Sequence, residues 1–174
     1  MKEFALDKEE VVSALKTVQE FQYFDELQLE RLIAVGQGLE LDPDEVLIRE
    51  GDCSAYLYVV LDGTMTVQLP RGEKGIVTLG STGKGQIFGE AAIFVNVKRT
   101  ADVAAARKTR LMQIERGNLL SYIRDNPEAG NKLLMIIIYN LLQRLSDLHQ
   151  DVHVDGDSRL MQREIDEIMK MYLR

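Results

Sequence analysis

The sequence predicts a mainly β protein with flanking helices. Between residues 37 and 115, short apolar stretches alternate with turn-forming residues about every 8–12 residues, whereas both ends of the chain show helical periodicity. Many short, evenly spaced strands favour a small antiparallel barrel or sandwich. A parallel sheet would need a long crossover, usually a helix, between successive strands, and no stretch of the middle region fits one.

Length and charge limit the possible functions. The chain has 174 residues, of which 45% are apolar, and this length corresponds to one domain with a helical appendage. A core of this size needs no disulfide or metal to hold it together. The 28 acidic residues outnumber the 21 basic ones, giving a net charge of −7. Nucleic-acid readers usually carry a basic face, so this balance makes nucleic acid an unlikely partner class.

Metal, disulfide and membrane sites are also disfavoured. The single cysteine, Cys53, excludes an intramolecular disulfide and a zinc site built from several cysteines. His149 and His153 have the spacing of a helical pair, but no third ligand accompanies them, so we interpret them as a solvated helix end and expect no metal. The N-terminus lacks a secretory signal, and the longest apolar run, Leu133–Tyr139, is too short for a membrane span. We therefore expect no membrane association and a cytoplasmic location.

Residues 1–36 are predicted to form N-terminal helices, with helical periodicity beginning at residue 5. Asp7 with Glu10, and Asp25 with Gln28, have the spacing of N-terminal capping boxes, with Asp as the capping residue. Apolar residues recur at helical intervals after each cap: Val11, Val12, Leu15 and Val18, then Phe24, Leu27, Leu32 and Ile33.

Residues 37–115 are predicted to form the β domain. Asp62-Gly63 between two apolar stretches is typical of a tight hairpin, because glycine tolerates a positive φ. The predicted strands are Leu39–Leu41, Val46–Ile48, Tyr56–Leu61, Met65–Leu69, Ile76–Leu79, Val103–Ala105 and Leu111–Ile114.

Residues 116–150 are predicted to be hinge and dimer helices, and residues 151–174 a terminal amphipathic helix. Pro127 is suited to the first turn of a helix, where its missing N–H costs nothing. A short heptad seam follows at Leu134, Ile138, Leu141, Leu145 and Leu148. Further apolar positions, at Leu133, Ile136 and Ile137, predict that one face packs on the β domain and another, within residues 133–148, on a second copy. A fully internal helix is the alternative. The apolar side of the last helix comprises Leu160, Ile165, Ile168, Met169 and Tyr172.

The segment from Gly83 to Val103 carries the functional signal. Phe88 stands where a dinucleotide-binding fingerprint needs its third glycine, and no Gly-Lys-Ser/Thr follows, so neither a Rossmann site nor a P-loop fits. What remains is a glycine-rich turn entering a short helical segment, Glu90–Phe94, whose first N–H groups favour an anion. Arg99 can fork two phosphate oxygens, and the Glu90 carboxylate can accept hydrogen bonds from a ribose. This combination favours a sugar phosphate.

The segment resembles the phosphate-binding cassette of cyclic nucleotide-binding domains. That family's pattern is roughly Phe-Gly-Glu-Leu-Ala-Leu, a few residues, and then Pro-Arg-Ala/Thr-Ala-Thr/Ser-Val. This chain has Phe88-Gly89-Glu90-Ala91-Ala92-Ile93 and then Lys98-Arg99-Thr100-Ala101-Asp102-Val103. The resemblance covers about residues 15–150. It implies a jelly-roll barrel of about eight antiparallel strands, similar to the sensor domain of catabolite activators without their DNA-binding domain. We refer to residues 83–103 as the cassette.

The resemblance also implies a role for each matching residue. Arg99 would pair with the cyclic phosphate, and Glu90 would accept a hydrogen bond from the ribose 2′-hydroxyl. The anion site would be lined by backbone N–H groups of Gly89, Ala91, Ala92 and Thr100. The expected function is a non-catalytic sensor that binds a cyclic nucleoside monophosphate, with cAMP as the main candidate and cGMP as the other. It would signal through its C-terminal helices to an unidentified protein partner.

The cassette departs from the family pattern at two charged positions. Lys98 replaces proline and adds a positive charge. Asp102 replaces a small hydroxyl residue, and its carboxylate would oppose a nearby phosphate by about 1–4 kcal/mol at about 4 Å. If Asp102 points away or pairs with Arg99, we expect the affinity for a phosphate ligand to be weak or absent. Two alternatives therefore stay open: a ligand-free interaction scaffold, for which Asp102 is the best evidence, and a truncated catabolite-activator-type transcription regulator.

Overall fold

The computed structural model describes residues 1–71, 75–94 and 98–150, together with Glu167 and Met171. It divides the chain into two compact units, Met1–Tyr122 and Ile123–Arg174. The first unit contains all the strands that the structure describes and the whole cassette. The domain boundaries expected from the sequence therefore remain predictions.

The helices and strands of the described residues follow the order that the sequence predicts: a β region lies between N-terminal and C-terminal helices. The strands are β1 (Lys2–Phe4), β2 (Gln37–Leu41), β3 (Val46–Ile48), β4 (Tyr56–Asp62), β5 (Thr64–Pro70), β6 (Ile76–Gly83), β7 (Ile87–Phe88), β8 (Asp102–Ala105) and β9 (Thr109–Glu115). The helices are α1 (Lys8–Lys16), α2 (Glu26–Ala34), α3 (Ala91–Phe94), α4 (Arg116–Asp125) and α5 (Pro127–Gln150), with a 3-10 helix at Gln19–Tyr23.

The strands form two antiparallel sheets. The five-stranded sheet has the order β1-β2-β9-β4-β7, and the four-stranded sheet has the order β3-β8-β5-β6. This is the expected jelly-roll architecture, with one correction: the sheets are not closed into a barrel, because among the described residues no ladder joins a strand of one sheet to a strand of the other.

The core contains residues from strands of both sheets. Alternate positions of a strand point to the same face, so each contributing strand supplies only one or two residues to this core. Its buried members are Leu39, Leu41, Ile48, Tyr58, Val60, Met65, Phe88, Val103, Ala105 and Leu111. Tyr58 and Phe88 belong to this core and also adjoin the cassette residues, so packing of the core positions one side of the site.

The N-terminal helices begin where the capping spacing predicts. The Asp25 side chain accepts from the Gln28 N–H (2.7 Å), and the Gln28 side chain accepts from the Asp25 N–H (3.2 Å), completing a capping box. Asp7 caps α1 by accepting from the Glu10 N–H at 3.0 Å. The prediction of helices alone in residues 1–36 is incomplete, because Lys2–Phe4 forms β1 and pairs with β2 at the edge of the five-stranded sheet.

The hairpin between β4 and β5 is tightly packed, whereas most of strand β6 is exposed. Gly63, in the predicted hairpin between β4 and β5, has φ +102°, and an added Cβ would lie 2.3 Å from Thr109 Oγ1. Glycine is therefore required there both by conformation and by space. Beyond the hairpin, β6 forms the edge of its sheet, and its first six residues are exposed.

In the second unit, α5 begins at Pro127 as predicted. Leu133, Ile136 and Ile137 are buried, whereas Ile138, a residue of the predicted seam, is 48% exposed. The dimer through residues 133–148 remains a prediction, and the side chains of residues 144–150 and most of the predicted helix at 151–174 lie outside the described residues. In the part of the chain that the structure describes, no helix is long and apolar enough to cross a membrane.

Candidate functional site

The structure brings together the two halves of the cassette, the segment that begins at Phe88 and the segment that begins at Lys98. Gly89 and Glu90 connect β7 to α3, and Arg99 precedes β8. Arg99 Nη1 lies 3.4 Å from the Gly89 carbonyl oxygen, and Arg99 Nη2 lies 3.2 Å from the Tyr56 carbonyl oxygen. The Gly89 backbone and the Arg99 guanidinium are therefore neighbours in space, and Glu90 follows Gly89 directly in the chain.

Gly89 sits where no other residue fits. Its φ is +83°, and an added Cβ would lie 2.7 Å from the Tyr56 carbonyl oxygen and 3.1 Å from Tyr58 Cδ2. The same added Cβ would be 3.4 Å from Arg99 Nη1. The glycine thus permits a close approach of the cassette backbone to β4 and leaves room for the arginine.

Glu90 is a buried carboxylate, with 4% of its surface exposed. Its carbonyl accepts from the Ile93 N–H at 3.1 Å, so the residue also begins the single turn of α3. Carboxylates are rarely this buried unless hydrogen-bond donors accompany them. A buried carboxylate in the cassette can accept a hydrogen bond from a ligand hydroxyl.

The backbone N–H groups predicted to bind an anion differ in their burial and in whether they already donate a hydrogen bond within the protein. The Ala92 N–H already donates to the Gly89 carbonyl at 3.3 Å, within the turn of α3. Ala92 is buried, whereas Ala91 and Thr100 are exposed. The exposed positions are therefore the ones at which a ligand can reach the backbone without prior rearrangement.

Arg99 carries a positive charge that no carboxylate neutralises among the described residues. Its described partners are two carbonyl oxygens, and its Nε is buried without a hydrogen-bond partner in the described part of the chain. The alternative that Arg99 simply forms an ion pair with Asp102 is therefore not supported by the geometry. A partly buried cation with an unsatisfied donor is costly to maintain, and an anion would satisfy it.

The backbone of Arg99 is held by a turn formed by residues 49–52, which we call the 49–52 turn. The Gly51 N–H donates to the Arg99 carbonyl, and the Arg99 N–H donates to the Asp52 carbonyl, both at 2.8 Å. The reciprocal pair fixes the position of the Arg99 Cα. The side chain then has to span only the distance from this anchor to the site.

Two tyrosines of β4 contribute to the site and were not identified from the sequence. Tyr56 supplies a carbonyl to Arg99, and the Tyr58 ring stacks on Phe88 with centroids 4.9 Å apart. Burial raises the pKa of Tyr58 to about 12, and the nearby positive charge of Arg99 partly opposes this shift. The spacing Tyr56-Leu57-Tyr58 was the available signal, because residues two apart on a strand share a face.

Asp102 is engaged by the protein itself. Its Oδ1 accepts from the Glu50 N–H at 2.7 Å. An ion pair between Asp102 and Arg99, one of the arrangements expected from the sequence, is absent among the described residues, and a hydrogen bond to the neighbouring turn is present. Among these residues, no group of three or more His, Cys, Asp or Glu side chains could hold a metal ion.

Comparisons with known proteins agree on the family. The model of the cyclic nucleotide-binding domain matches residues 39–126. A CRP-like cAMP-activated global transcriptional regulator of Mycobacterium tuberculosis is 25% identical over 126 residues, which cover 71% of this chain and 55% of that protein. This chain thus spans only about half the length of that relative.

Solved structures give the same result. A cyclic nucleotide-binding domain from Methylobacillus flagellatus aligns with a TM-score of 0.71 and 26% identity over 86% of this chain and 85% of that one. The regulatory domain of Toxoplasma gondii PKA with cAMP aligns with a TM-score of 0.56 and 27% identity over 68% and 45% of the two chains. The family match covers half of the sequence and contains strands β3 to β9, most of β2 and the contacts of Arg99 described above. This chain belongs to the cyclic nucleotide-binding domain family.

Proposed function

We propose that the chain is a non-catalytic sensor module that binds a cyclic nucleoside monophosphate, with cAMP as the principal ligand, in the pocket formed by the cassette and β4. The observation that carries the proposal is the Arg99 guanidinium. It is partly buried, its Nε has no hydrogen-bond partner among the described residues, and no described carboxylate neutralises it.

The ligand's phosphate would meet Arg99. A singly charged cyclic phosphate offers two exocyclic oxygens, and a guanidinium donates to two oxygens in a fixed fork. Nε and one Nη form one edge of that fork, and this Nε is the atom without a partner in the described residues. Arg99 Nη1 donates to the Gly89 carbonyl at 3.4 Å, and Nη2 donates to the Tyr56 carbonyl at 3.2 Å. These bonds are long and their acceptors are neutral, so exchanging them for bonds to a charged phosphate is favourable.

The ligand's ribose would meet Glu90. The carboxylate is 4% exposed and belongs to the residue after Gly89, whose carbonyl accepts from Arg99. An ionised carboxylate only accepts hydrogen bonds, so it favours a ribose hydroxyl and disfavours a second phosphate. A cyclic monophosphate with a free 2′-hydroxyl matches both partners.

The choice of cAMP as principal ligand is supported by relatives. The Mycobacterium tuberculosis relative is described as cAMP-activated, and the Toxoplasma gondii regulatory domain was solved with cAMP. We propose that ligand binding shifts a two-state equilibrium of the C-terminal helices, which present a dimer face through residues 133–148 to a second copy or to a protein partner. The proposed location is cytoplasmic.

The experiment is thermal unfolding with and without nucleotide. At a concentration 100 times the dissociation constant, a ligand adds about 2.7 kcal/mol to the free energy of unfolding. For a chain of this size, this raises Tm by about 5–10 °C. cAMP and cGMP are compared, with 5′-AMP as the control that carries the same base and an open phosphate.

Matched variants identify the site. Arg99→Ala should abolish the cAMP-induced shift, and Arg107→Ala, an exposed arginine at the other end of β8, should retain it. Glu90→Gln should weaken cAMP more than 2′-deoxy-cAMP, because only cAMP carries the hydroxyl that the carboxylate accepts from. If the wild-type protein shows no shift with any nucleotide, the sensor function is wrong and the ligand-free scaffold is supported instead.

A further inference from the structure

Asp102 makes a contact that the proposed ligand contacts do not explain. It is the first residue of β8, three residues after Arg99, and its side chain is half-buried. One carboxylate oxygen accepts from the Glu50 N–H at 2.7 Å. This is a short, charge-assisted hydrogen bond, a class about twice as strong as a neutral one.

The Glu50 N–H belongs to the 49–52 turn, which is closed on itself. The Arg49 N–H donates to Asp52 Oδ2, and the Asp52 N–H donates to the Arg49 carbonyl, both at 3.1 Å. Gly51 has φ +88°, which lets the chain reverse within these four residues. Its two ends are therefore bonded to each other.

Three consecutive residues of this turn bond to the segment that carries Arg99. Glu50 donates to Asp102, Gly51 donates to Arg99, and Asp52 accepts from Arg99. Two of these three bonds involve Arg99 itself and tie the arginine to the turn, which follows β3 where β3 pairs with β8. The bond to Asp102 ties the turn to a regular strand, which is paired with β5 at Gln68.

We propose that Asp102 is a positioning residue for Arg99: its carboxylate anchors the 49–52 turn, and the turn holds the arginine backbone where the side chain can reach a phosphate. The inference rests on the proposed function of the pocket. It assigns a role to the residue that departs from the family pattern at this position.

The chemistry explains why a carboxylate serves here. A serine or threonine hydroxyl sits one bond closer to the backbone than a carboxylate oxygen and is neutral, so it reaches less far and binds an N–H less strongly. The carboxylate has a cost, because its charge lies close to an anionic ligand. The two effects predict opposite changes in affinity when the residue is altered, and this makes the role measurable.

The test uses three variants and cAMP affinity measured by calorimetry. Asp102→Ala, which loses the acceptor, should weaken binding about tenfold. Asp102→Asn keeps an oxygen acceptor of the same reach and loses the charge that repels a phosphate, so it should bind cAMP more tightly than Asp102→Ala does. Asp7→Ala removes another carboxylate that accepts a backbone N–H, at the start of α1, and should leave affinity unchanged.

A double-mutant cycle shows whether the effect passes through Arg99. In an Arg99→Ala background, Asp102→Ala should cause no further loss of residual affinity, because the group being positioned is gone. A purely structural loosening would instead lower affinity in both backgrounds. Equal losses in the two backgrounds, or tighter binding by Asp102→Ala, would overturn the inference.

A ligand-free measurement separates this inference from the proposed function. Amide hydrogen exchange at Glu50 and Arg99 should accelerate in Asp102→Ala and stay slow in Asp102→Asn, while exchange in α2 is unchanged. Unchanged exchange at Arg99 would refute the anchoring role even if the protein binds cAMP. Absence of cAMP binding by wild type would refute the proposed function, and the exchange result would still decide the anchoring.

Discussion

The segment 88–93 and the residues before β8 form the two sides of the proposed ligand pocket, and they are held in different ways. On the first side, Phe88, Glu90, Ala92 and Ile93 are all buried, with exposed fractions of 1–5%. On the second side, Lys98 and Thr100 are exposed, and Arg99 is held by backbone hydrogen bonds to the 49–52 turn. Packing positions the carboxylate, and hydrogen bonds position the arginine.

This difference predicts different responses to mutation. Truncation of a side chain should damage the packed side severely, and loss of a single acceptor should damage the hydrogen-bonded side selectively. A ligand that contacts both sides therefore binds one side that is held by packing and one side that is held by hydrogen bonds. The following experiments test that contrast.

The largest effect is expected for Phe88→Ala. The ring is 4% exposed and stacks on Tyr58, so its removal leaves a cavity and should cost about 3–5 kcal/mol of stability. Urea unfolding at equilibrium measures it. Phe94→Ala is the matched control, because that ring is 46% exposed and its loss should cost well under half as much. Equal costs would show that the first side is not held by packing.

A smaller effect is expected from two glycines, one on each side of the pocket. Gly89 and Gly51 have similar φ angles, +83° and +88°, so alanine at either position costs about 1–2 kcal/mol of backbone strain. An added Cβ meets the Tyr56 carbonyl oxygen at 2.7 Å in Gly89→Ala, and meets nothing within 4 Å in Gly51→Ala. Gly89→Ala should therefore be the more destabilising by about 1–3 kcal/mol in the same urea experiment. The reverse order would contradict the contrast.

The smallest effect is expected at alkaline pH. Burial raises the pKa of Tyr58 to about 12, so the folded protein keeps a proton that the unfolded chain releases near pH 10. Its contribution to stability is thus fully present below pH 10 and is lost as the pH rises from about 10 to about 12. Between pH 10 and 11 the wild type should lose about 1 kcal/mol more than Tyr58→Phe does. Parallel stability curves for the two proteins would show that this phenol is not desolvated in the fold.

Much of the local structure was predictable because its causes are local. The capping box of α2 needs only Asp25 and Gln28, and the hairpin between β4 and β5 needs only Asp62-Gly63. The family resemblance supplied Gly89, Glu90 and Arg99 as neighbours, and the structure places them together. Strand β7 was missed because two residues are too few to show a period of two, and β1 was missed because only one of its three residues, Phe4, is apolar.

What could not be predicted depends on contacts between distant parts of the chain. The bond from the Glu50 N–H to Asp102 joins residues 52 positions apart, and the Tyr56 carbonyl that receives Arg99 is 43 positions away from it. The sequence showed Asp102 only as a charge beside a phosphate site. Its hydrogen bond follows from the pairing of β8 with β3, which brings the end of β3 and the 49–52 turn alongside.

The position of β9 has a consequence for how the molecule assembles. This strand lies in the middle of the five-stranded sheet, between β2 and β4, although it is the last strand of the described chain. During synthesis, β2 and β4 therefore emerge long before β9, the strand that pairs with both of them. Until β9 has emerged, β7 and the cassette residues that follow it can pack only on an incomplete sheet. Pairings this distant in sequence slow folding. The pocket is thus one of the last features of the first unit to form as the nascent chain folds.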